Sequence, residues 1–243
     1  MKKDDIFVKP LDRVEDFAFD ARVADVFDNM ISRSVPGYRL TLDLIGLIAE
    51  RYARDETNCY DLGCSLGAAT LMLRRHVPAT CHVIGVDNSS AMIERCRASI
   101  QRDHSGATVE LREQDLQATV IENASVVVLN FTLQFVPPDE RATVLESIAR
   151  GINPGGALLL AEKVAFEKGD EDTFIRELHH DFKRYHGYSD LEIAQKRAAL
   201  ENVMIPETAE THISRLHQSG FDEVFEISRC LNFAAFLAVR VAA

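Results

Sequence analysis

Asp61-Leu62-Gly63-Cys64-Ser65-Leu66-Gly67 joins a short apolar segment, Cys59-Tyr60, to Ala68-Ala69-Thr70-Leu71-Met72-Leu73, and this junction decides the fold. The first segment suits a strand and the last a helix. The run therefore reads as the front half of a βα unit whose glycines turn the chain tightly and let a ligand approach the backbone. Two glycines in a βα turn can also be ordinary loop chemistry, so the turn carries weight only together with the pattern downstream of it.

Short apolar runs alternate with helical windows along the next hundred residues. Strands are expected at residues 59–62, 82–86, 109–111, 125–129 and 157–161, with helices at 68–76, 91–102 and 138–151. Strands separated by helices imply a parallel sheet covered on both faces. Asn153-Pro154-Gly155-Gly156 should end the last of these helices and turn the chain into the fifth strand. Before this core, residues 1–55 form a helical lead-in: a helix near 20–31, a Pro36-Gly37 turn, and helical spacing of Leu44, Ile45, Leu47 and Ile48 over 40–53. After it, residues 166–218 are polar and mostly helical, as an inserted cap would be. Two final strands at 223–228 and 231–239 could pair as a hairpin at one sheet edge. The expectation is one Rossmann-like α/β domain over residues 1–243 carrying a helical lid.

Composition narrows the function. The 243 residues carry a formal charge of −11, which repels polyanions unless a basic patch intervenes. Arg74-Arg75-His76 and Lys183-Arg184 are too short for a nucleic-acid footprint and read as solvated helix ends. A small-molecule substrate is favoured and direct nucleic-acid binding is not expected. No apolar run reaches membrane-spanning length, and the charged start Met1-Lys2-Lys3-Asp4-Asp5 is unlike a signal peptide. Five scattered cysteines without a C-x-x-C pair suggest neither disulfides nor a zinc site, so a reducing cytoplasm is the expected home. His179-His180-Asp181 has no second ligand pair at helical spacing and reads as a polar helix face, and no metal is expected.

Open α/β sheets bind ligands outside the carboxyl ends of their strands. Four expected strand ends carry suitable groups. Gly63, Cys64 and Ser65 form the first turn, with Cys64 read as a small structural residue because no base neighbours it. Asp87 closes the second strand, where a carboxylate can accept from both ribose hydroxyls, and Asn88 beside it can reach a base. Asp115 with Leu116 follows the third strand, and Asn130 closes the fourth, where an amide can hold an amino-acid moiety. Taken singly, each acid could be a surface loop residue. NAD would also use Asp87, but the turn lacks the G-x-G-x-x-G spacing.

The ordered set resembles class I S-adenosylmethionine (SAM)-dependent methyltransferases, with Ser65 where their turn has its middle glycine. That resemblance implies a mostly parallel seven-stranded sheet with an antiparallel edge strand, and an adenine-binding role for Asp115 and the Leu116 amide. Longer strings are more specific. Ser34-Val35-Pro36-Gly37-Tyr38, Tyr60 to Thr70, Val128-Leu129-Asn130-Phe131-Thr132-Leu133-Gln134-Phe135 and Gln195-Lys196-Arg197 with Leu200-Glu201-Asn202-Val203-Met204 are similar to the carboxy-SAM synthase family. The resemblance implies conversion of SAM and prephenate to carboxy-SAM, phenylpyruvate and water. It also implies use of the product by a separate enzyme for 5-oxyacetic acid modification of tRNA wobble uridine, and a homodimer.

Such chemistry needs a proton to leave the SAM methyl, giving a sulfonium ylide, which an exposed carboxylate is poorly suited to remove. The implied source of both carbon dioxide and driving force is prephenate, which aromatises as it decarboxylates. No catalytic residue is assigned. The resemblance makes Arg197 the guanidinium fork for the added carboxylate, and Tyr38 the opposite wall of the pocket. Read without it, Arg197 is an exposed helical arginine and Tyr38 a packing aromatic. A conventional SAM-dependent methyltransferase acting on tRNA or a small molecule remains the alternative, and a non-catalytic SAM-binding protein a third reading.

Overall fold

The computed structural model describes residues 2–242, so Met1 and Ala243 of the expected 1–243 span lie outside the described residues. The lead-in holds α1 (Ala21–Ser34) and α2 (Tyr38–Tyr52). The core then runs β1 (Asn58–Leu62), α3 (Ala68–His76), β2 (His82–Asp87), α4 (Ser90–Arg102), β3 (Thr108–Glu113), β4 (Ala124–Asn130), α5 (Arg141–Gly151) and β5 (Ile152–Ala165). Beyond it come α6 (Asp170–Tyr185), α7 (Asp190–Leu200), β6 (Glu207–Thr208), α8 (Ala209–Gln218), β7 (Glu223–Cys230) and β8 (Phe233–Val239).

Local chemistry sets several helix starts. Asp20 accepts from the Val23 amide at 2.9 Å to begin α1, and Ser89 does the same for α4 through Met92. Ser189 and Glu192 form a capping box at α7.

The sheet order is β3-β2-β1-β4-β5-β8-β7, with β6 paired to β5 off this path. The main path thus has seven strands, and the two-residue β6 makes an eighth. β1 to β5 are mutually parallel where they pair. Strands buried on both faces read as continuous apolar runs, as Val126-Val127-Val128-Leu129 does. On one face Leu145 and Ile148 of α5 and Leu216 of α8 join the core, and on the other Ile45 of α2 and Leu73 of α3.

Three details differ from the sequence reading. The antiparallel strand is β8, one place in from the edge, between β5 and β7. Its Phe-Ala-Ala-Phe-Leu-Ala-Val suits an interior position, whereas β7 carries Glu223, Glu226 and Arg229 and tolerates the solvated edge. The fifth strand starts before the Asn153-Pro154-Gly155-Gly156 run. Ile152 already pairs with Ala124, and the register then shifts so that Val126 meets Ala157, which places the run in a bulge. Within residues 166–218, α8 packs on the sheet through Ala209 and Leu216, while α6 and α7 lie over the strand ends.

The lead-in straps α7. Gln195 donates to the carbonyls of Phe7 (2.9 Å) and Lys9 (3.0 Å) and accepts from the Leu11 amide at 2.7 Å. The Phe17 amide donates to Ala199 O at 2.9 Å. No described helix is long and apolar enough to cross a membrane.

Candidate active site

Strand order reverses between β1 and β4, because β2 and β3 extend one way from β1 while β4 and β5 extend the other. Such a reversal opens a crevice at the carboxyl ends, and a cavity of about 490 Å³ lies there. Tyr38, Gly63, Cys64, Ser65, Asp87, Asn88, Asp115, Leu116, Asn130 and Arg197, the residues singled out from sequence, all line it.

The first turn is anchored by the Gly63 and Cys64 amides, which donate to Val86 O at 2.8 and 2.9 Å. Gly63 has φ +82, and a Cβ there would sit 2.4 Å from the Thr132 side chain. Ser65 also has positive φ, 49°, which explains why glycine suits that position. Its amide compensates by donating to Asp87 Oδ2 at 2.8 Å, while the Ser89 amide donates to Oδ1 at 2.9 Å. Each Asp87 oxygen keeps acceptor capacity for a diol. Burial raises the Asp87 carboxyl above its ordinary pKa. Asn88 reaches across to Asp115, donating to Oδ1 at 2.8 Å, so the ends of β2 and β3 present one polar edge.

Deeper, Asp61 is fully buried. Thr70 donates to its Oδ2 at 2.6 Å, and burial pushes its carboxyl up to about 7. Asp61 Oδ1, Asn130 Oδ1 and Asn232 Oδ1 are buried with no hydrogen-bond partner among the described residues, and all three residues line the cavity. Unpaired buried acceptors are costly, so three around one cavity argue for a ligand bearing donors. Burial chiefly, with Asp61 and Asp28 nearby, raises the Tyr38 phenol while the Asn130 amide acts in the opposite sense. Cys64 packs with Ile93 and Cys96, and its hydrogen bond with Cys96 and its burial hold the thiol far above the usual range. It is no nucleophile in this state.

The loop after β4 is held from below. Glu162, fully buried, accepts from the Leu133 and Gln134 amides at 2.9 Å each, and burial raises it to about 8. Arg141 is wholly buried. It donates to Val136 O at 2.9 Å, Gln134 O at 3.1 Å and Ile205 O at 2.9 Å, and pairs with Glu207. Phe19 packs edge-on against Phe17 at 5.2 Å and Phe135 at 5.1 Å, forming an apolar lip.

Sequence reasoning passed over part of this site. Lys163, at the end of β5, and His179, His180 and Lys183 of α6 line the same cavity. Lys183 is therefore no solvated helix end, and the histidines form no simple polar face. His179 is buried, with Nε2 2.8 Å from Ser34 O and its ring 5.1 Å from that of Phe233. Arg74 likewise turns inward, donating to Ile100 O at 3.0 Å and Asp103 O at 2.7 Å. The strand-end rule that found Asn130 could have found Lys163, but only tertiary packing brings α6 to it. Among the described residues no group of three or more His, Cys, Asp or Glu is placed to hold a metal ion.

Comparisons with known proteins bear on the fold and the family. A family described as "Methyltransferase domain" matches residues 60–156, from within β1 to the start of β5. Human N-acetylserotonin methyltransferase, solved with SAM, superposes with a TM-score of 0.61 at 16% identity, covering 92% of this chain and 56% of that one. An O-methyltransferase family protein from Burkholderia thailandensis gives a TM-score of 0.62 at 18% identity, covering 92% and 61%. At such identities the likeness establishes the class I methyltransferase fold alone. Sequence relatives are far nearer. The carboxy-S-adenosyl-L-methionine synthase of Geobacter sp. (strain M21) is 53% identical, covering 98% of this chain and 99% of its own. That of Trichlorobacter lovleyi is 54% identical over the same shares, and that of Aliivibrio fischeri (strain ATCC 700601 / ES114) 51% over 98% of each. With relatives 51–54% identical over nearly the whole length of the chain, this protein belongs to the carboxy-S-adenosyl-L-methionine synthase family.

Proposed function

We propose that this enzyme converts SAM and prephenate to carboxy-SAM, phenylpyruvate and water. The observation that carries the reading is the position of Arg197. It extends from α7 into a cavity whose other end has acids and amides suited to a nucleoside. The residues fit SAM: Asp87 and Asn88 for the ribose and base, Asp115 and the Leu116 amide for adenine, and the orphaned acceptors of Asp61 and Asn130 for the ammonium group. A methyl transferase needs no cation beside the transferred carbon, whereas a product bearing a second carboxylate does.

When bound, SAM supplies an acidified methyl carbon. The reaction balances without a base from the protein. The bond between the prephenate ring and its carboxylate breaks, and the electron pair aromatises the ring and expels hydroxide. Hydroxide leaves as water with a methyl proton, and the released carbon dioxide is captured at that carbon. The chain's task is to align two ligands and exclude water, which the Phe17, Phe19 and Phe135 lip serves. Arg197 then holds the new carboxylate.

The product would pass to a separate enzyme for tRNA wobble uridine modification in the cytoplasm. A homodimer would use the apolar α6 face of Phe174, Leu178 and Tyr185, all exposed. The function is tested by denaturing freshly purified protein and weighing the released nucleoside. A species heavier than SAM by one carbon dioxide supports the reading. Release of SAM that prephenate cannot convert on the native enzyme would reject it in favour of methyl transfer.

A further inference from the structure

The cavity is electrically divided. Its β1 to β4 side carries Asp61, Asp87 and Asp115, and its β5, α6 and α7 side carries one acid, Glu201 at the end of α7, against Lys163, Lys183 and Arg197. These three cations come from three separate elements, and their side-chain nitrogens have no ion-pair partner among the described residues. Nearby Lys196 is different, because its ammonium donates to Ser34 Oγ at 3.0 Å and lies 4.0 Å from Asp4. Asp172, the carboxylate that acts on Lys163, is paired at 2.9 Å with Arg176.

Like charges are not gathered in a half-buried cavity without an opposing ligand, since each raises the cost of the others. Burial, then Lys163, Lys196 and Arg197, bring the Lys183 ammonium down to about 7. Burial and Arg197 likewise lower Lys163. The division is local, for the chain as a whole carries a charge of −11. A cationic nucleoside suits one side, and an anion with more than one carboxylate suits the other.

We propose that Lys163 and Lys183 form a second carboxylate subsite, which binds the pyruvyl carboxylate of the carboxyl donor while Arg197 receives the carboxylate to be transferred. The assignment rests on the proposed function for the identity of the donor, and divides the labour by chemistry. A planar fork suits the group that must keep a fixed orientation through transfer, and two ammonium point charges suit a carboxylate that only needs to be anchored. Lys163 is fixed for this role from behind. Its amide donates to Gln134 Oε1 at 3.2 Å, and the residue pairs with Phe233 of β8. Lys183 lies one turn from His179, whose buried ring seats α6 against Phe233.

The test is calorimetric titration of prephenate into protein loaded with S-adenosyl-L-homocysteine, which lacks the methyl group and cannot react. Lys163→Met and Lys183→Met should each weaken prephenate at least tenfold while S-adenosyl-L-homocysteine affinity stays within twofold, and Lys183→Arg should recover most of the loss. That unchanged nucleoside affinity certifies folding, and Lys163→Gln and Lys183→Gln replace any methionine variant that fails it. Prephenate affinity within twofold of the parent in all the neutral variants overturns the subsite, as does absence of prephenate binding to the parent. A parent that binds prephenate in this lysine-dependent way yet never turns over SAM would retain the subsite and reject the proposed function.

Discussion

Thr70 donates its hydroxyl to Asp61 Oδ2 at 2.6 Å, while the second oxygen of the same fully buried carboxylate has no partner among the described residues. One end of Asp61 is thus fixed by the first helix of the βα unit and the other faces the cavity. Burial holds the carboxyl near 7, so below that pH it is mostly protonated in the free protein. A ligand carrying an ammonium and a sulfonium favours the ionised form. Binding must then expel a proton at low pH, and affinity falls as pH drops. SAM binding should weaken about tenfold per unit below pH 7 and be strongest just above it, before the ligand's own α-amino group loses its proton at about 8. Asp61→Asn should flatten the profile. Calorimetry in buffers of different ionisation enthalpy reads the released proton directly, and an unchanged slope in the variant would refute the assignment.

Asp87 and Arg197 should separate shared from product-specific binding. Asp87 accepts backbone amides from Ser65 and Ser89 and would face the ribose common to both nucleosides. Asp87→Ala should therefore weaken SAM and carboxy-SAM alike, by roughly tenfold or more for a lost charge-assisted pair. Arg197→Ala should weaken carboxy-SAM far more than SAM. Competitive displacement of a labelled nucleoside measures both, and equal losses on removing Arg197 would take it out of its role.

How much of this was legible before folding depends on where each signal resides. The turn from Gly63 to Gly67 and the polar groups closing β2, β3 and β4 are local features of a repeated strand-end pattern, so their convergence follows from parallel pairing alone. The interior place of β8 was missed although composition carries the signal, since Phe233 to Val239 is apolar on both faces while β7 is charged. The α6 part of the cationic wall was not legible. Lys183 in sequence is one charge in a polar helix, and its meaning comes from α6 being seated against Phe233 of β8 by His179. Gln195-Lys196-Arg197 shows the same limit: adjacent residues respectively tie down the lead-in, bond Ser34 and enter the cavity.

Arg141 should be the costliest single charge to remove. Its guanidinium satisfies three carbonyls and Glu207, and Glu207 also accepts from Arg215 at 2.8 Å. Arg141→Met leaves those acceptors unpaired in the interior, at a cost of about 3–5 kcal/mol. Urea unfolding should show the loss as a lower midpoint with little change in slope. A loss under 1 kcal/mol would mean that water reaches the vacated carbonyls.

Gly63 tests whether the turn is set by backbone conformation or by contact with the β4 loop. Alanine there meets both the left-handed φ of +82° and the Thr132 side chain, whose Cγ2 and Oγ1 would lie 2.4 Å from the new Cβ. The conformational part costs roughly 1–2 kcal/mol, and the clash adds to it. Thr132→Ala removes both atoms. In the double variant the two 2.4 Å contacts are gone and only the Cβ of residue 132, at 3.0 Å, still presses on the new methyl, so most of the clash should be relieved and the conformational penalty should dominate what remains. The two substitutions should therefore couple by at least 1 kcal/mol in a thermal-unfolding cycle, because neighbours sharing one steric conflict are not additive. Additive losses would locate the whole effect in the backbone, and the Thr132 loop would then be free to yield.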